Sequence, residues 1–173
     1  MKQKREQTDA VQMIKADHQK VQTLFSQIES STQEDRQTLA TQLFNELEVH
    51  ALLEEEIFYP AVRDGIDLKE LAGIEGTEDD DEADTAEGEN IITLSYEEHR
   101  AIKDLIQELK GMDGASPEFG ERLEELKEDV LTHASEEEDV ILPAAAIKLD
   151  VEALGRQMQN RRIELVAALA GNR

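Results

Sequence analysis

The chain of 173 residues contains no cysteine, and this absence removes a whole class of chemistry. Disulfide bonds, thiolate metal sites and cysteine nucleophiles are all excluded. Any metal ion bound by this chain must therefore be held by nitrogen and oxygen atoms.

Aromatic residues and proline are scarce. Only 3% of the residues are aromatic and three are proline, which is typical of a helical protein. No segment approaches the ~18 consecutive apolar residues of a membrane-spanning helix, and the basic residues near Met1 precede no apolar run. We therefore expect one all-α domain over residues 1–173, in a soluble and cytoplasmic protein.

Basic residues are few: the chain has 18 of them against 41 acidic residues, which gives a net charge of −23. Such a chain repels phosphate backbones and anionic lipids, so we expect neither nucleic acid nor membrane as a partner. Residues 64–90 alone contribute −11, from twelve acidic residues and one lysine. Because acidic runs are usually solvated, we interpret this segment as a flexible connection rather than a cation-collecting loop.

Apolar residues recur at intervals of three and four along five segments, which predicts five helices. Short polar turns after the first and third helices favour antiparallel hairpins, and hence a four-helix bundle. The additional C-terminal helix either covers the bundle or forms an oligomer contact, so the chain is a monomer or a homodimer. The predicted boundaries are about Thr8–Ser30, Gln33–Val62, Asn90–Lys110, Pro117–Ala144 and Val151–Leu169.

All four histidines of the chain fall on the apolar faces of these helices, one per helix. In the first half His18 is followed by His50-x-x-x-Glu54, and in the second half His99 is followed by a matching His-x-x-x-Glu. A proline lies ten residues beyond the second histidine of each half. The chain therefore resembles a duplicated helical hairpin, with the second copy of the pattern completed by His133, Glu137 and Pro143.

The spacing brings these six residues to one level of the bundle. The midpoint between His18 and His50 is residue 34, at the first turn, and that between His99 and His133 is residue 116, at the second. A spacing of four places each histidine and the following glutamate on one helix face.

Two glutamates in the core require a counter-charge, because an unpaired buried carboxylate costs several kcal/mol. Imidazole and carboxylate donors suit iron, manganese or zinc better than magnesium or calcium. A lone histidine on an apolar face is usually a core residue, but the repeated set of six favours ligands. Shared between two ions, six residues leave open positions for water, oxide, hydroxide, dioxygen or peroxide.

The motifs resemble those of the hemerythrin-like family, which carries the HHE cation-binding domain. The matching segments run from Asp17 to Val21, His50 to Pro60, Glu98 to Ile102 and His133 to Pro143. The resemblance implies an up-down-up-down bundle that holds a non-haem centre of two iron ions with an oxo or hydroxo bridge, zinc or manganese being alternatives. It also implies that Glu54 and Glu137 bridge the ions and that the four histidines are terminal ligands.

The resemblance further implies dioxygen, hydrogen peroxide or nitric oxide as the small ligand. Oxygen carriers of this family have a fifth histidine four residues before the one that matches His99, and here that residue is Ser95. We therefore favour catalase-like decomposition of peroxide. The alternatives are sensing, storage or oxygen binding without turnover, and a metal-free helical interaction module. A ferritin-like centre is set aside because it needs Glu-x-x-His pairs, which this chain lacks.

Several residues adjacent to the six proposed ligands have alternative roles. Tyr96, three residues before His99, is a metal ligand, a hydrogen-bond donor to a bound oxygen species, or a core residue. Tyr59 is expected to point away from His50 and Glu54. Asp17 and Glu98 would orient a neighbouring imidazole if they faced inward, but we favour a surface position. The remaining adjacent acids are interpreted as solvated charge: Glu55, Glu56, Glu136 and Glu138.

Overall fold

Helices account for all regular structure in residues 9–67, 71 and 81–171, the part of the chain that the computed structural model describes. The predicted up-down-up-down bundle with an additional C-terminal helix is confirmed. Two of the long helices contain a π-helical turn, Glu54–Phe58 and Glu137–Ile141. The α-helices are α1 Ala10–Ser30, α2 Gln33–Leu53, α3 Tyr59–Gly65, α4 Asp81–Lys110, α5 Pro117–Glu136, α6 Leu142–Lys148 and α7 Val151–Gly171.

Side-chain caps fix where the two hairpins turn. The hydroxyl of Thr32 accepts a hydrogen bond from the backbone N–H of Asp35 at the start of α2. The hydroxyl of Ser116 does the same for Phe119 at the start of α5, where Pro117 occupies the first turn. Each cap satisfies a backbone donor that the helix cannot pair by itself. Both turns therefore lie where the polar residues of the sequence predict them.

The π turns replace what the sequence predicts as uninterrupted α-helix. The nitrogen of Pro60 carries no hydrogen, and its ring would clash with the carbonyl of Glu56 in a regular helix. The helix widens just before this proline, so that the N–H of Tyr59 bonds to the carbonyl of Glu54. The second copy repeats this arrangement, with a bond from the N–H of Leu142 to the carbonyl of Glu137 ahead of Pro143.

The buried apolar side chains form two clusters with a polar layer between them. One cluster lies at the end of the bundle with the two hairpin turns and includes Phe25, Phe44 and Phe119. The other lies toward α3, α6 and α7 and includes Phe58 and Met158. The layer between them contains the four histidines and two glutamates, which are all buried. Apolar packing on both sides thus encloses the predicted metal ligands.

The third bundle helix begins earlier than expected. The sequence predicts its start near Asn90, but α4 begins at Asp81. Alanines and acidic residues, which suit a first helical turn, occupy much of this extension. The predicted start of this helix is therefore about nine residues late. The interpretation of residues 64–90 as a flexible connection stays a prediction. Residues 68–70 and 72–80 of that connection lie outside the described residues.

The fifth helix, α7, packs against α1 and α2. Arg162 of α7 binds Asp17 of α1, and Arg161 binds Glu56 in the first π turn. Of the two roles left open by the sequence, covering the bundle is the one observed. None of the helices in the described part has the length and apolar character needed to cross a membrane.

Candidate metal centre

The six predicted ligands meet in one layer. The ring centroids of His18 and His50 are 5.0 Å apart, and those of His99 and His133 are 4.6 Å apart. Across the two hairpins, the rings of His50 and His99 are 6.4 Å apart. The midpoint rule thus correctly places both histidine pairs, because each hairpin turn lies about halfway between its two histidines.

The ligand atoms fall into two groups that share one carboxylate. Atoms of His18, His50, Glu54 and Glu137 lie within 4.8 Å of one another, and so do atoms of Glu54, His99 and His133. An oxygen of Glu54, Oε2, is 3.2 Å from the Nε2 atoms of both His50 and His99. Glu54 therefore belongs to both groups of donor atoms.

Every histidine of the layer turns its outer nitrogen, Nδ1, toward a carboxylate on another helical segment. Because a carboxylate accepts hydrogen bonds, Nδ1 carries the hydrogen in each neutral imidazole, and the lone pair of Nε2 is then available to a metal. This arrangement selects the tautomer that binds a metal through Nε2. The pairs are His133–Glu98 at 2.7 Å, His18–Glu138 at 2.8 Å, His99–Glu55 at 3.1 Å and His50–Asp17 at 3.5 Å.

These outer carboxylates correct the sequence-based assignments. Asp17 and Glu98 were expected on the surface, and Glu55 and Glu138 were expected as solvated charge. Asp17 is buried, and the other three are partly buried. Sequence periodicity failed because each acid lies beside a ligand on its own helix yet serves a histidine of another. The duplication carries the missing signal, since Asp17 matches Glu98 and Glu55 matches Glu138 in the repeat.

Tyr59 lies inside the centre, although it was predicted to point away. In a regular helix it would be rotated by about 140° from Glu54. The π turn instead brings both residues to the same side. The Tyr59 side chain is fully buried. Its hydroxyl lies 3.5 Å from Glu54 Oε2 and from the Nε2 atoms of His99 and His133.

Tyr96 and Ser95 are placed beside the centre. The hydroxyl of Tyr96 donates to the backbone carbonyl of Glu55 at 3.2 Å, so its polar atom is used in packing α4 against the first π turn. The hydroxyl of Ser95 donates to the carbonyl of Ile91 at 3.1 Å. Ser95 also lies close enough to Tyr59 to affect the pKa of its phenol. A small residue at position 95 thus accompanies the inward-facing tyrosine.

The charges of the layer perturb one another strongly. Burial and the nearby Glu137 carboxylate raise the pKa of Glu54 well above its usual range. Burial alone would also raise the pKa of Glu137, but its contacts with His18 and the other histidines lower it. Burial would lower the pKa of His18, but the two glutamates raise it to about 9. Without a metal, protons thus partly balance the two carboxylates.

Tyr59 and His50 stay neutral in this layer. Burial, followed by the charges of Glu54 and Glu137, raises the pKa of Tyr59 well above 10. Burial lowers the pKa of His50 to about 4, although Asp17 opposes this change. Tyr59 therefore keeps its proton, and His50 offers a free lone pair for coordination.

Four buried atoms of the layer have no hydrogen-bond partner, and this fits a metal centre. They are Nε2 of His18, Oε1 of Glu54 and both carboxylate oxygens of Glu137. His18 Nε2 and Glu137 Oε2 lie 3.3 Å apart as an ion pair, but their geometry is not that of a hydrogen bond. An unsatisfied buried polar group costs about 1–3 kcal/mol, more if it is charged. Nitrogen and oxygen donors of this kind suit iron, manganese or zinc. Among the described residues, only one further buried side-chain atom, Nε of Arg162, has no partner, and it lies outside the six residues that the sequence proposes as ligands.

The comparisons with known proteins agree with this geometry. The family model of the hemerythrin HHE cation-binding domain matches residues 9–145 and, in a second match, residues 90–169. The chain belongs to this family, and a metal-binding role follows from its membership. A solved hemerythrin HHE cation-binding domain-containing protein from Mycobacterium kansasii has the same fold, with a TM-score of 0.69 and 22% identity. The alignment covers 92% of this chain and 88% of that one.

One curated relative is a DNA nickase from Nostoc sp. It is 30% identical over 141 residues, which cover 81% of this chain. The aligned part makes up 34% of the nickase, so this chain spans about a third of that protein's length.

Loss of an outer carboxylate should weaken metal binding. Replacing Glu98 with glutamine leaves His133 Nδ1 with a neutral acceptor and should lower metal affinity about 10- to 100-fold. Competition with a chelator measures this change. The matched control is Glu97→Gln, one residue away on the exposed face of α4. Equal affinities in the two variants would contradict the role given to Glu98.

Removal of the metal should destabilise the fold, because it leaves the buried carboxylates of Glu54 and Glu137 without a counter-charge. A ligand at a thousand times its Kd stabilises a protein by about 4 kcal/mol. For a chain of this size, stripping the metal should lower Tm by about 8–16 °C. Calorimetry with and without a chelator checks this, with His133→Ala expected to show a much smaller difference. Identical melting of loaded and stripped wild-type protein would argue against the centre.

Proposed function

We propose that this chain holds two iron ions between its six inward-facing ligands and decomposes hydrogen peroxide. The observation that carries the proposal is a small cavity lined by all four histidines. The two overlapping groups of donors support two ions, and the absence of cysteine and of further histidines leaves an oxygen- and nitrogen-rich ligand set.

The cavity limits what can reach the centre. Its volume is about 20 Å³, enough for one water-sized molecule. All four histidine rings contribute to its wall, which faces the apolar cluster near the hairpin turns. Dioxygen, nitric oxide and hydrogen peroxide approach this size, whereas an organic substrate does not. The other lining residues are Val21, Leu47, Ala51, Ile102, Val130 and Ala134.

Tyr59 favours peroxide chemistry over oxygen carriage. Oxygen carriers of the family place a fifth histidine where this chain has Ser95, and here a phenol approaches the centre beside Ser95. The Tyr59 hydroxyl retains its proton and lies 3.5 Å from the Nε2 atoms of His99 and His133. A buried group that carries a proton can donate it to an oxygen species and take it back.

Each part of the site has a defined task in the proposed reaction, in which two molecules of hydrogen peroxide give two of water and one of dioxygen. Iron, when bound, would pass two electrons from the peroxide that becomes dioxygen to the peroxide that becomes water, by cycling between oxidation states. The outer carboxylates hold the imidazoles in the metal-binding tautomer. The apolar wall excludes bulk water. Tyr59 does not line the cavity, but its hydroxyl lies 3.5 Å from the Nε2 atoms of His99 and His133, whose rings do, and from there it moves a proton between the two oxygens of peroxide.

The likeness to a DNA nickase does not extend this proposal to nucleic acid. Most of the nickase lies outside the aligned region. The net charge of −23 would repel a phosphate backbone over much of the surface. The proposal therefore concerns only the metal centre.

The test is oxygen evolution from hydrogen peroxide by iron-loaded protein. Wild-type protein should release one dioxygen per two peroxides consumed, and His133→Ala should lose the activity because it removes a ligand. Circular dichroism would confirm that the variant remains helical. If peroxide persists in the presence of loaded wild-type protein as it does in buffer, the catalytic proposal fails. Reversible binding of dioxygen or nitric oxide would then indicate a carrier or sensor.

The two neighbouring tyrosines provide a sharper test. Tyr59→Phe should slow oxygen evolution about 100-fold, because it removes the proton-bearing group from the centre while keeping the ring. Tyr96→Phe should change the rate by less than about 2-fold, because that hydroxyl only bonds to the carbonyl of Glu55. Iron content is measured in parallel. Equal rates in the two variants would remove Tyr59 from the reaction.

A further inference from the structure

The four histidine–carboxylate pairs differ in whether a cation also holds the carboxylate. Asp17 and Glu98 are equivalent positions of the repeat, and each faces Nδ1 of the second histidine of its own hairpin. Glu98 lies 2.7 Å from His133 Nδ1, and Asp17 lies 3.5 Å from His50 Nδ1. Equivalent positions of a duplicated hairpin therefore make unequal contacts.

Arg162 accounts for this difference. Its guanidinium binds both oxygens of Asp17, with Nη1 at 2.8 Å from Oδ1 and Nη2 in contact with Oδ2. Oδ2 is also the oxygen nearest to His50 Nδ1. Arg162 belongs to α7, which lies outside the duplicated hairpins. In the first copy alone, this helix supplies a cation that competes with a histidine for its carboxylate.

The other pair of equivalent acids shows the same trend. Glu55 binds the ammonium group of Lys103 at 2.6 Å and 2.7 Å and lies 3.1 Å from His99 Nδ1. Glu138 lies 3.9 Å from the ammonium group of Lys15 and 2.8 Å from His18 Nδ1. In both comparisons the acid held more closely by a cation is farther from its histidine.

A simple electrostatic effect explains the trend. A guanidinium that binds both oxygens of a carboxylate uses its lone pairs and neutralises part of its charge. Less negative charge then remains to attract the Nδ1–H of an imidazole. The hydrogen bond from the outer nitrogen controls how strongly Nε2 donates to a metal. A cation on the outer carboxylate thus weakens the inner ligand.

We infer that Arg162 is a positioning residue that draws Asp17 away from His50 and makes His50 the weakest imidazole donor of the centre. The inference rests on the proposed metal centre, because it treats His50 as a ligand, but it does not depend on peroxide turnover. Its consequence is that α7 sets the electron donation to one metal position.

The experiment uses zinc-loaded protein, because zinc is diamagnetic and gives sharp proton NMR signals from the Nδ1–H groups. A shorter hydrogen bond to a carboxylate moves such a signal downfield. In wild-type protein the His50 signal should be the least downfield of the four. Arg162→Gln releases Asp17 and should move the His50 signal downfield, toward the position of the His133 signal, while the other three stay in place.

The neighbouring arginine provides the matched control. Arg161 forms the same two-pronged contact with Glu56, but it reaches no histidine. Arg161→Gln should therefore leave all four signals unchanged. If Arg162→Gln does not fold, Arg162→Lys carries the test, because a single ammonium group should release Asp17 partly and give a smaller downfield shift. Asp17→Asn should move the His50 signal upfield and abolish the effect of Arg162→Gln.

Each remaining result has a distinct meaning. Zinc bound normally, with a His50 signal that stays in place or moves upfield in Arg162→Gln, would overturn the inference alone. Movement of all four signals in both arginine variants would show that α7 acts only by covering the bundle, and this too would overturn it. Failure of wild-type protein to bind zinc would overturn the metal centre itself.

Discussion

Two carboxylates withdrawn from water are the constraint on which the rest of this structure depends. Glu54 and Glu137 lie with four imidazoles between two apolar clusters, where an uncompensated negative charge is costly. No lysine or arginine is paired with either carboxylate among the described residues. The imidazoles can neutralise them only by taking up protons, and a metal ion does so without protons. The outer acids, the tautomers and the enclosing apolar side chains all follow from a cation at this position.

The π turns convert a simple helical spacing into a complete site. A spacing of four places one histidine and one glutamate on the inner face, which a regular helix already allows. The widened turn before each proline then brings a further residue inward, which is Tyr59 in the first copy and Leu142 in the second. Both side chains are fully buried. The π turn thus places a phenol beside the layer in one half and an aliphatic side chain in the other.

The sequence predicts the bundle and the six inner residues because both depend on short-range periodicity and on distance from a turn. Tyr59 was missed because its direction depends on a hydrogen-bond shift that regular periodicity does not contain. The outer acids were missed because each serves a histidine on another helical segment, as Glu138 does for His18. Arg162 lies even farther away, 145 residues from Asp17. Such pairings arise only when the helices are packed together.

The departures from the duplication matter for the proposed chemistry. An exact repeat would give two equal metal positions and would present the same environment to both ends of a bound peroxide. In the proposed reaction the two oxygens of peroxide become different, because the proton moved by Tyr59 reaches one of them while the bond between them breaks. A phenol beside His99 and His133, but an aliphatic side chain at the equivalent place, supplies this difference. Arg162 adds a second difference between the two halves, because it weakens the contact between Asp17 and Nδ1 of His50. Both departures act without altering the six ligands.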